Sequence, residues 1–485
     1  MRRILPSFFF ATALIAACAG TTNAEPEQPA DTRSLTLSPA SQEVAWQGGS
    51  FSVNVDANFE YTWTCDCDWI AADPDNAGSK YIRYFKAEPN NGSADRTAVI
   101  KFSDASDRYY SKTVTVTQTF NPNPDVVLSI VDKNATARTK ALFANLYKIG
   151  QTGFMFGHHD DLWYGRYWYN EPLRSDTKDV CGDYPGVFSV DLAEISDNRY
   201  QSDANQIRRR VILEAYERGE VILAVMHLNN PLTGSDSWDN SRSDVVKNIL
   251  TAGTETRKKY LTWLDRLAEF ALGLKASDGE LVPIILRPYH EHTQSWSWWG
   301  SKCTTESEFI DFWRFTVEYL RDTKGVHNFL YCISPQMDSW YTTDEASGRI
   351  VYRWPGDDYV DFMGIDCYHG INPSALNLYL DALEYWAEKK NKPCGITEDG
   401  TESFTLANYW TTNVLEPLRG RKSCCMAVFW RNKYVGDNES DKHFYSVYKG
   451  HPSEDDFRTF YNDSETYFSA DLPDMYTMPE GMAVK

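Results

Sequence analysis

From Asp125 onward, eight short apolar runs alternate with segments of helical periodicity, and this limits the possible folds more than any other feature of the chain. Phe154-Met155-Phe156 ends at Gly157-His158-His159-Asp160, Val187-Phe188-Ser189-Val190 at Asp191, and Val221-Ile222-Leu223-Ala224-Val225 at His227-Leu228-Asn229-Asn230. Ile284-Ile285-Leu286 leads to Arg287-Pro288-Tyr289-His290-Glu291, and Phe329-Leu330-Tyr331-Cys332-Ile333 ends at Ser334-Pro335. Phe362-Met363-Gly364-Ile365 ends at Asp366-Cys367-Tyr368-His369, Cys394-Gly395-Ile396-Thr397 at Glu398, and Met426-Ala427-Val428-Phe429 at Trp430-Arg431-Asn432. Helical patterns lie between them, over 203–218, 256–274, 306–322 and 375–389. Strand–helix alternation implies a parallel sheet with right-handed crossovers. Eight units in about 350 residues predict a closed (β/α)8 TIM barrel with enlarged loops, its site at the strand ends. The alternative is an open doubly wound sheet, but no GxGxxG or GxxxxGK opens the first unit.

The preceding residues have another texture. Phe51-Ser52-Val53-Asn54-Val55, Val99-Ile100-Lys101-Phe102 and Val114-Thr115-Val116-Thr117 alternate, with turn signals at Gly48-Gly49 and Asn90-Asn91-Gly92. Residues 34–120 are therefore expected to form a small immunoglobulin-like β-sandwich, with one of Trp46, Trp63 and Trp69 facing inward and the module serving as a spacer. Two prolines make 121–125 a stiff linker, and 126–485 is the barrel domain. At the N terminus, Met1-Arg2-Arg3, an apolar segment and Ala16-Ala17-Cys18 resemble a bacterial lipoprotein signal peptide over 1–18. Cys18 is then the lipidated anchor, 19–33 a polar tether, and the expected location the outer membrane, facing the cell surface. The alternative is an ordinary signal peptide cut near residue 24. Nine further cysteines, an odd number, leave at least one unpaired. Cys65-Xaa-Cys67 and adjacent Cys424-Cys425 are too tight for ordinary self-bridging.

A net charge of −20 with no basic block argues against nucleic acid and leaves a neutral polymer as the natural partner. Glu291 closes the fourth unit and Glu398 the seventh, with Trp296, Trp298 and Trp299 beside the first. Two carboxylates facing one cleft are the minimum for glycoside hydrolysis, one acting as proton donor and the other as nucleophile or base. Glu291 is the better acid candidate; the competing reading pairs it with Arg287 as a salt bridge beneath a tryptophan core. There is no HExxH among the histidines (158, 159, 227, 290, 292, 369), so no metal or other cofactor is expected.

Arg287-Pro288-Tyr289-His290-Glu291 with Trp296-Ser297-Trp298-Trp299-Gly300 resembles the acid/base motif of glycoside hydrolase family 26, and Lys392-Pro393 through Glu398 resembles its nucleophile strand. Gly157-His158-His159-Asp160, Met226-His227-Leu228-Asn229 and Phe429-Trp430-Arg431-Asn432 agree in order; residues 34–120 resemble a BACON module. The resemblance implies a retaining endo-β-1,4-mannanase of clan A with Glu398 as nucleophile and Glu291 as acid/base. It also implies that His227 and His290 contact sugar hydroxyls, that Trp296 and Tyr368 wall the subsite over a Trp430 floor, and that His158 and Asp160 line the glycone side. Gln294 and Ser297 depart from the family's glycine and second aromatic, which bears on the loop's shape. The remaining alternatives are another β-glycan (mixed-linkage glucan or β-1,3-xylan), exo-acting release of mannobiose, and a lipoprotein that binds glycan without cutting it. A monomer is expected.

Overall fold

The computed structural model describes residues 31–90, 92, 94–121, 126–197, 203–339, 341–368, 370–436, 438 and 440–485. Cys18 and the proposed signal peptide, most of the 121–125 linker and His369 lie outside the described residues. The chain divides into two units, Met1–Pro124 and Asp125–Lys485.

In the first unit, two four-stranded sheets pack face to face. One carries Leu35–Ser38, Gly49–Ala57, Ile82–Ala87 and Ile70–Ala72; the other carries Ser41–Val44, Ser111–Gln118, Arg96–Asp104 and Tyr61–Cys65. Alternation puts Val53, Val55, Phe85, Ile100, Phe102, Val114 and Val116 between them, essentially inaccessible to solvent. Phe85 and Phe102 fill the centre, and Trp63 is the inward-facing tryptophan expected of the fold. Trp63 is half-buried and meets Phe85 edge-on with ring centroids 5.0 Å apart, while Trp69 lies under the Arg96 guanidinium.

The second unit is the barrel. Its strands are β1 (Phe154–His159), β2 (Val187–Asp191), β3 (Val221–Val225), β4 (Ile284–Arg287), β5 (Phe329–Ile333), β6 (Phe362–Cys367), β7 (Cys394–Asp399) and β8 (Cys424–Phe429). All neighbours pair in parallel, and β1 pairs with both β2 and β8, which closes the ring. Each of the eight apolar runs is one of these strands. The helices fall at Asp203–Glu217, Glu255–Gly273, Glu306–Glu318 (continued by a π-helical turn, Tyr319–Thr323) and Pro373–Lys390. A Thr305–Glu308 capping box starts the third, and left-handed Asn391 ends the fourth.

Period two sorts the strand residues. Met155, Val187, Leu223, Ile285, Leu330, Phe362 and Met426, from seven of the eight strands, form one cluster filling the barrel. Their neighbours, such as Phe154, Phe188, Ile222, Leu286 and Met363, pack outward against the helices. Whatever shares the inward phase at the C-terminal ends of the strands therefore faces the mouth of the barrel.

Candidate active site

At that mouth Arg287, in phase with Ile285, is completely buried and grips two carboxylates. Its Nη1 donates to Asp366 Oδ2 and its Nη2 to Glu398 Oε1, each at 2.7 Å. The sequence reading that paired Arg287 with Glu291 is therefore replaced by a pairing with β6 and β7. Glu398 reaches the interior through an irregularity. Ile365 aligns with Ile396, but Asp366 aligns with Glu398, so Thr397 is an extra residue on β7. Without this bulge, Glu398 would share the outward phase of Cys394 and Ile396; with it, the side chain turns inward. Thr397 Oγ1 donates to Asp366 Oδ1 at 2.7 Å, and Ser334 Oγ to Asp366 Oδ2 at 2.8 Å. Tyr368 OH donates to Glu398 Oε2 at 3.0 Å.

Glu291 sits just beyond β4 in a strained turn. Tyr289 and Glu291 both have φ of 51°, a left-handed setting that costs about 1–3 kcal/mol per non-glycine residue and concentrates at functional sites. Tyr289 is anchored by burial against Phe312 and by its hydroxyl, which hydrogen-bonds Thr316 Oγ1 at 2.8 Å. The indole Nε1 of Trp296 donates to Glu291 Oε2 at 2.9 Å. Trp296 is itself held by the two residues that depart from the family pattern: Gln294 Nε2 donates to Ser297 Oγ, and Gln294 Oε1 accepts the Trp296 N–H. Gly300 closes this loop so tightly that a Cβ there would lie 2.6 Å from the Gln294 carbonyl oxygen. Trp298 and Trp299 are packing residues, donating to the carbonyls of Leu228 and His290.

The electrostatic settings of the carboxyls differ. Burial raises the Glu291 pKa well above that of an ordinary glutamate, and the nearby charges of Glu398 and Asp366 raise it further; the Trp296 hydrogen bond and Arg287 only partly oppose this. Glu291 is thus biased toward its protonated form. Burial also pushes Asp366 up to about 7, against the pull of Arg287. Burial works against the charge on Arg287, but Asp366 and then Glu398 outweigh it and keep the guanidinium protonated. Burial holds His290 and His159 far below the usual imidazole range, so both are neutral.

Two lobes make up the cleft. A hollow of about 180 Å³ brings Glu291 and Glu398 together with His227, His290, Trp296, Tyr368, Trp430 and Trp238. It adjoins a larger lobe of about 430 Å³, where Asp160, His159, Asp191 and Arg431 stand, and His227, Trp238 and Trp430 border both. His227 Nδ1 is 2.9 Å from Asp191 Oδ2, and its ring lies 4.3 Å from that of His290. Trp430 presents one face to the cleft while His159 stacks on it at 4.1 Å. Asp160 accepts from Tyr164 OH, and its Oδ1 has no hydrogen-bond partner among the described residues, an arrangement suited to a substrate hydroxyl. Among the described residues the cleft shows no cluster of side chains able to hold a metal ion.

Eight of the nine sequence-predicted site residues border this cleft; His158 does not. It shares the outward phase of Phe154 and Phe156, is fully buried, and its Nδ1 lies 2.9 Å from Asp161 Oδ1 behind the strand. His159, one residue on, is the imidazole in the cleft. Strand alternation carried that information, since Met155 and His159 share a phase. Asp366 and Asp191 were visible as strand-end charges but had no assigned partners, Arg287 was paired only with Glu291, and Trp238 lies in a loop with no periodic signal.

Comparison with known proteins agrees with this geometry. The sequence model "Glycosyl hydrolase family 26" matches residues 131–389. A β-mannanase of family 26 from Bacteroides ovatus is 37% identical with a TM-score of 0.65, covering 71% of this chain and 98% of that one. The chain belongs to glycosyl hydrolase family 26. The family 26 protein GH26C from Muricauda sp. is 30% identical (TM-score 0.65, 72% of this chain and 96% of that one). A mannan endo-1,4-beta-mannosidase of Bifidobacterium adolescentis is 35% identical over 250 residues, half of this chain but 24% of the relative. The chain spans 24%, 51% and 60% of the first three curated relatives it matches. In front of the family 26 domain, residues 59–119 match BACON, described as a putative N-terminal binding domain.

Proposed function

We propose that this family 26 chain is a retaining endo-β-1,4-mannanase acting on galactomannan or glucomannan. The observation that carries this reading is the pair of glutamates in one hollow with contrasting surroundings. Burial and neighbouring carboxylates raise the Glu291 pKa beside Trp296, and Glu398 accepts hydrogen bonds from Arg287 and Tyr368. Glu291 donates its proton to the glycosidic oxygen while a Glu398 oxygen attacks the anomeric carbon, forming a glycosyl ester and releasing the aglycone. Water, deprotonated by Glu291, then cleaves the ester with net retention. His227 and His290 bind hydroxyls of the attacked sugar, Trp430 is its floor, and Asp160 serves the adjoining glycone unit.

The names of the relatives, mannan endo-1,4-beta-mannosidases, support the choice of mannan. A reducing-sugar assay on galactomannan, glucomannan, lichenan and β-1,3-xylan tests it. Release from a mannan is expected; activity confined to the other two would reassign the substrate, and binding without release on any would leave only a glycan-capturing protein. We extend the reading to export and anchoring through Cys18, supported by the basic start, apolar stretch and small residues before that cysteine.

Trp238 has a predictable share in binding. It is 59% exposed, borders both lobes, and rides on a loop laced by Asn230 and Asp239 and tied to the acid/base loop through Asn240 Nδ2 and the Ser295 carbonyl. Its indole lies 5.9 Å from the His227 ring. An aromatic face so placed packs on sugar C–H groups. Trp238→Ala is expected to raise KM for mannotetraose about tenfold with a smaller change in kcat, and Trp238→Phe to restore most of it. Steady-state kinetics on the three proteins measures this.

A further inference from the structure

The sandwich holds a group of side chains that sugar cleavage does not use. Cys65 ends the strand Tyr61–Cys65, and Cys67 follows in the bend beyond it. Two residues apart on extended chain, their side chains fall on the same side. The two Sγ atoms are 3.3 Å apart, and both side chains are half-buried at the margin of the sandwich core. Asp66 stands between them, fixed to the neighbouring strand: its backbone N–H donates to the Val99 carbonyl and its Oδ1 accepts the Val99 N–H at 2.8 Å. One ligand atom from each of Cys65, Asp66 and Cys67 lies within 4.8 Å of the others. Among the described residues this is the single group of three or more His, Cys, Asp or Glu side chains converging closely enough to hold a metal ion.

We propose that Cys65, Asp66 and Cys67 form a peripheral site for one thiophilic d10 cation of the zinc and copper(I) class. Metal–thiolate bonds of about 2.3 Å to two sulfurs 3.3 Å apart give an S–metal–S angle near 90°. Opening the sulfurs to about 3.8 Å, by small rotations of half-exposed side chains, reaches the tetrahedral value. The carboxylate supplies a third donor, and the solvent side leaves a coordination position for water or a further ligand. Soft sulfur ligands select this class over magnesium or calcium, which take oxygen donors. Without the ion the two sulfurs rest in contact with each other. Burial and the hydrogen bond with Cys65 push the Cys67 thiol up to about 11, while the Ile70 N–H favours its thiolate. Binding is an exchange in which one cation takes the place of the thiol protons, which pass to solvent, and no electrons move. Among the described residues the other seven cysteines are unbridged: six are buried in the barrel unit, and Cys181 is half-buried with its thiol donating to backbone carbonyls.

Cadmium is the probe, since cadmium thiolates absorb in the ultraviolet. Reduced protein, desalted without oxygen and titrated with Cd²⁺, is expected to show one equivalent of charge-transfer absorption. Bound Cd²⁺ should protect residues 65 and 67 from iodoacetamide, as read by peptide mass. Zn²⁺ should compete the absorption away. Cys65→Ser and Cys67→Ser should each abolish it, Asp66→Asn should retain it with weaker affinity, and Cys181→Ser should leave it unchanged. All four variants are checked for an unchanged melting transition without metal. Absence of the band, its survival in folded Cys65→Ser protein, or its loss in Cys181→Ser would overturn the proposal. None of these readouts depends on hydrolysis, so the result stands apart from the choice of polysaccharide.

Discussion

Replacing Glu398 by alanine is expected to lower kcat/KM on mannan by on the order of 10⁴-fold or more, about 5 kcal/mol of lost transition-state stabilisation. The loss has two parts. The covalent route disappears with the attacking oxygen, and the Arg287 charge loses one of its two buried partners, leaving Asp366 alone against it. Asp366 remains bonded to Arg287, Ser334 and Thr397, so the barrel mouth stays assembled and the variant is expected to fold. Azide supplies the test of role. A small anion entering the vacated space attacks the face that Glu398 used, with no later displacement, so an activated mannoside yields glycosyl azide of inverted configuration. NMR of that product decides the matter: a retained azide would remove Glu398 from the nucleophile's position.

The same residue shows where sequence reading ends. The eight apolar runs gave all eight strands because buried parallel strands are recognisable as short apolar stretches, and the four amphipathic segments gave four helices to within a few residues. Facing is harder. A strict period of two places His159 inside and His158 behind the strand, which local reading around a Gly-His-His-Asp string does not settle. Applied to β7, that same rule would have turned Glu398 outward; only the extra residue at Thr397, set by pairing with β6, turns it in. Partner choice is likewise a tertiary fact. Arg287 and Glu291 are four residues apart, but β4 aims the guanidinium across the barrel at β6 and β7 while the left-handed turn lifts Glu291 above it. In the sandwich, the expected inward tryptophan is Trp63, which packs half-buried against Phe85 at the margin of the core, while Phe85 and Phe102 occupy its fully buried centre.

Glu291→Ala is expected to separate substrates by leaving group. On mannan, whose departing sugar alkoxide needs a proton, kcat/KM should fall by about 10²–10⁴-fold, the range general acid catalysis supplies. On a dinitrophenyl mannobioside, whose phenolate leaves unaided, formation of the glycosyl ester should be nearly unimpaired. Breakdown of that ester still lacks its base, so kcat and KM should fall together and the intermediate should accumulate. Azide, needing no base, should then raise turnover and give product of retained configuration, the opposite outcome to that at Glu398. The pH profile adds an independent reading. Burial and the neighbouring carboxylates raise the Glu291 pKa, so the proton-donating form persists to higher pH than in an ordinary glutamate and is lost as pH rises through that raised value. Wild-type kcat/KM on mannan should therefore decline on the alkaline side, and in Glu291→Ala, assayed on the activated substrate, that limb should vanish. Equal losses on both substrates with the alkaline limb intact would place the acid elsewhere, and Asp366, pushed up to about 7, would be the next carboxyl to examine.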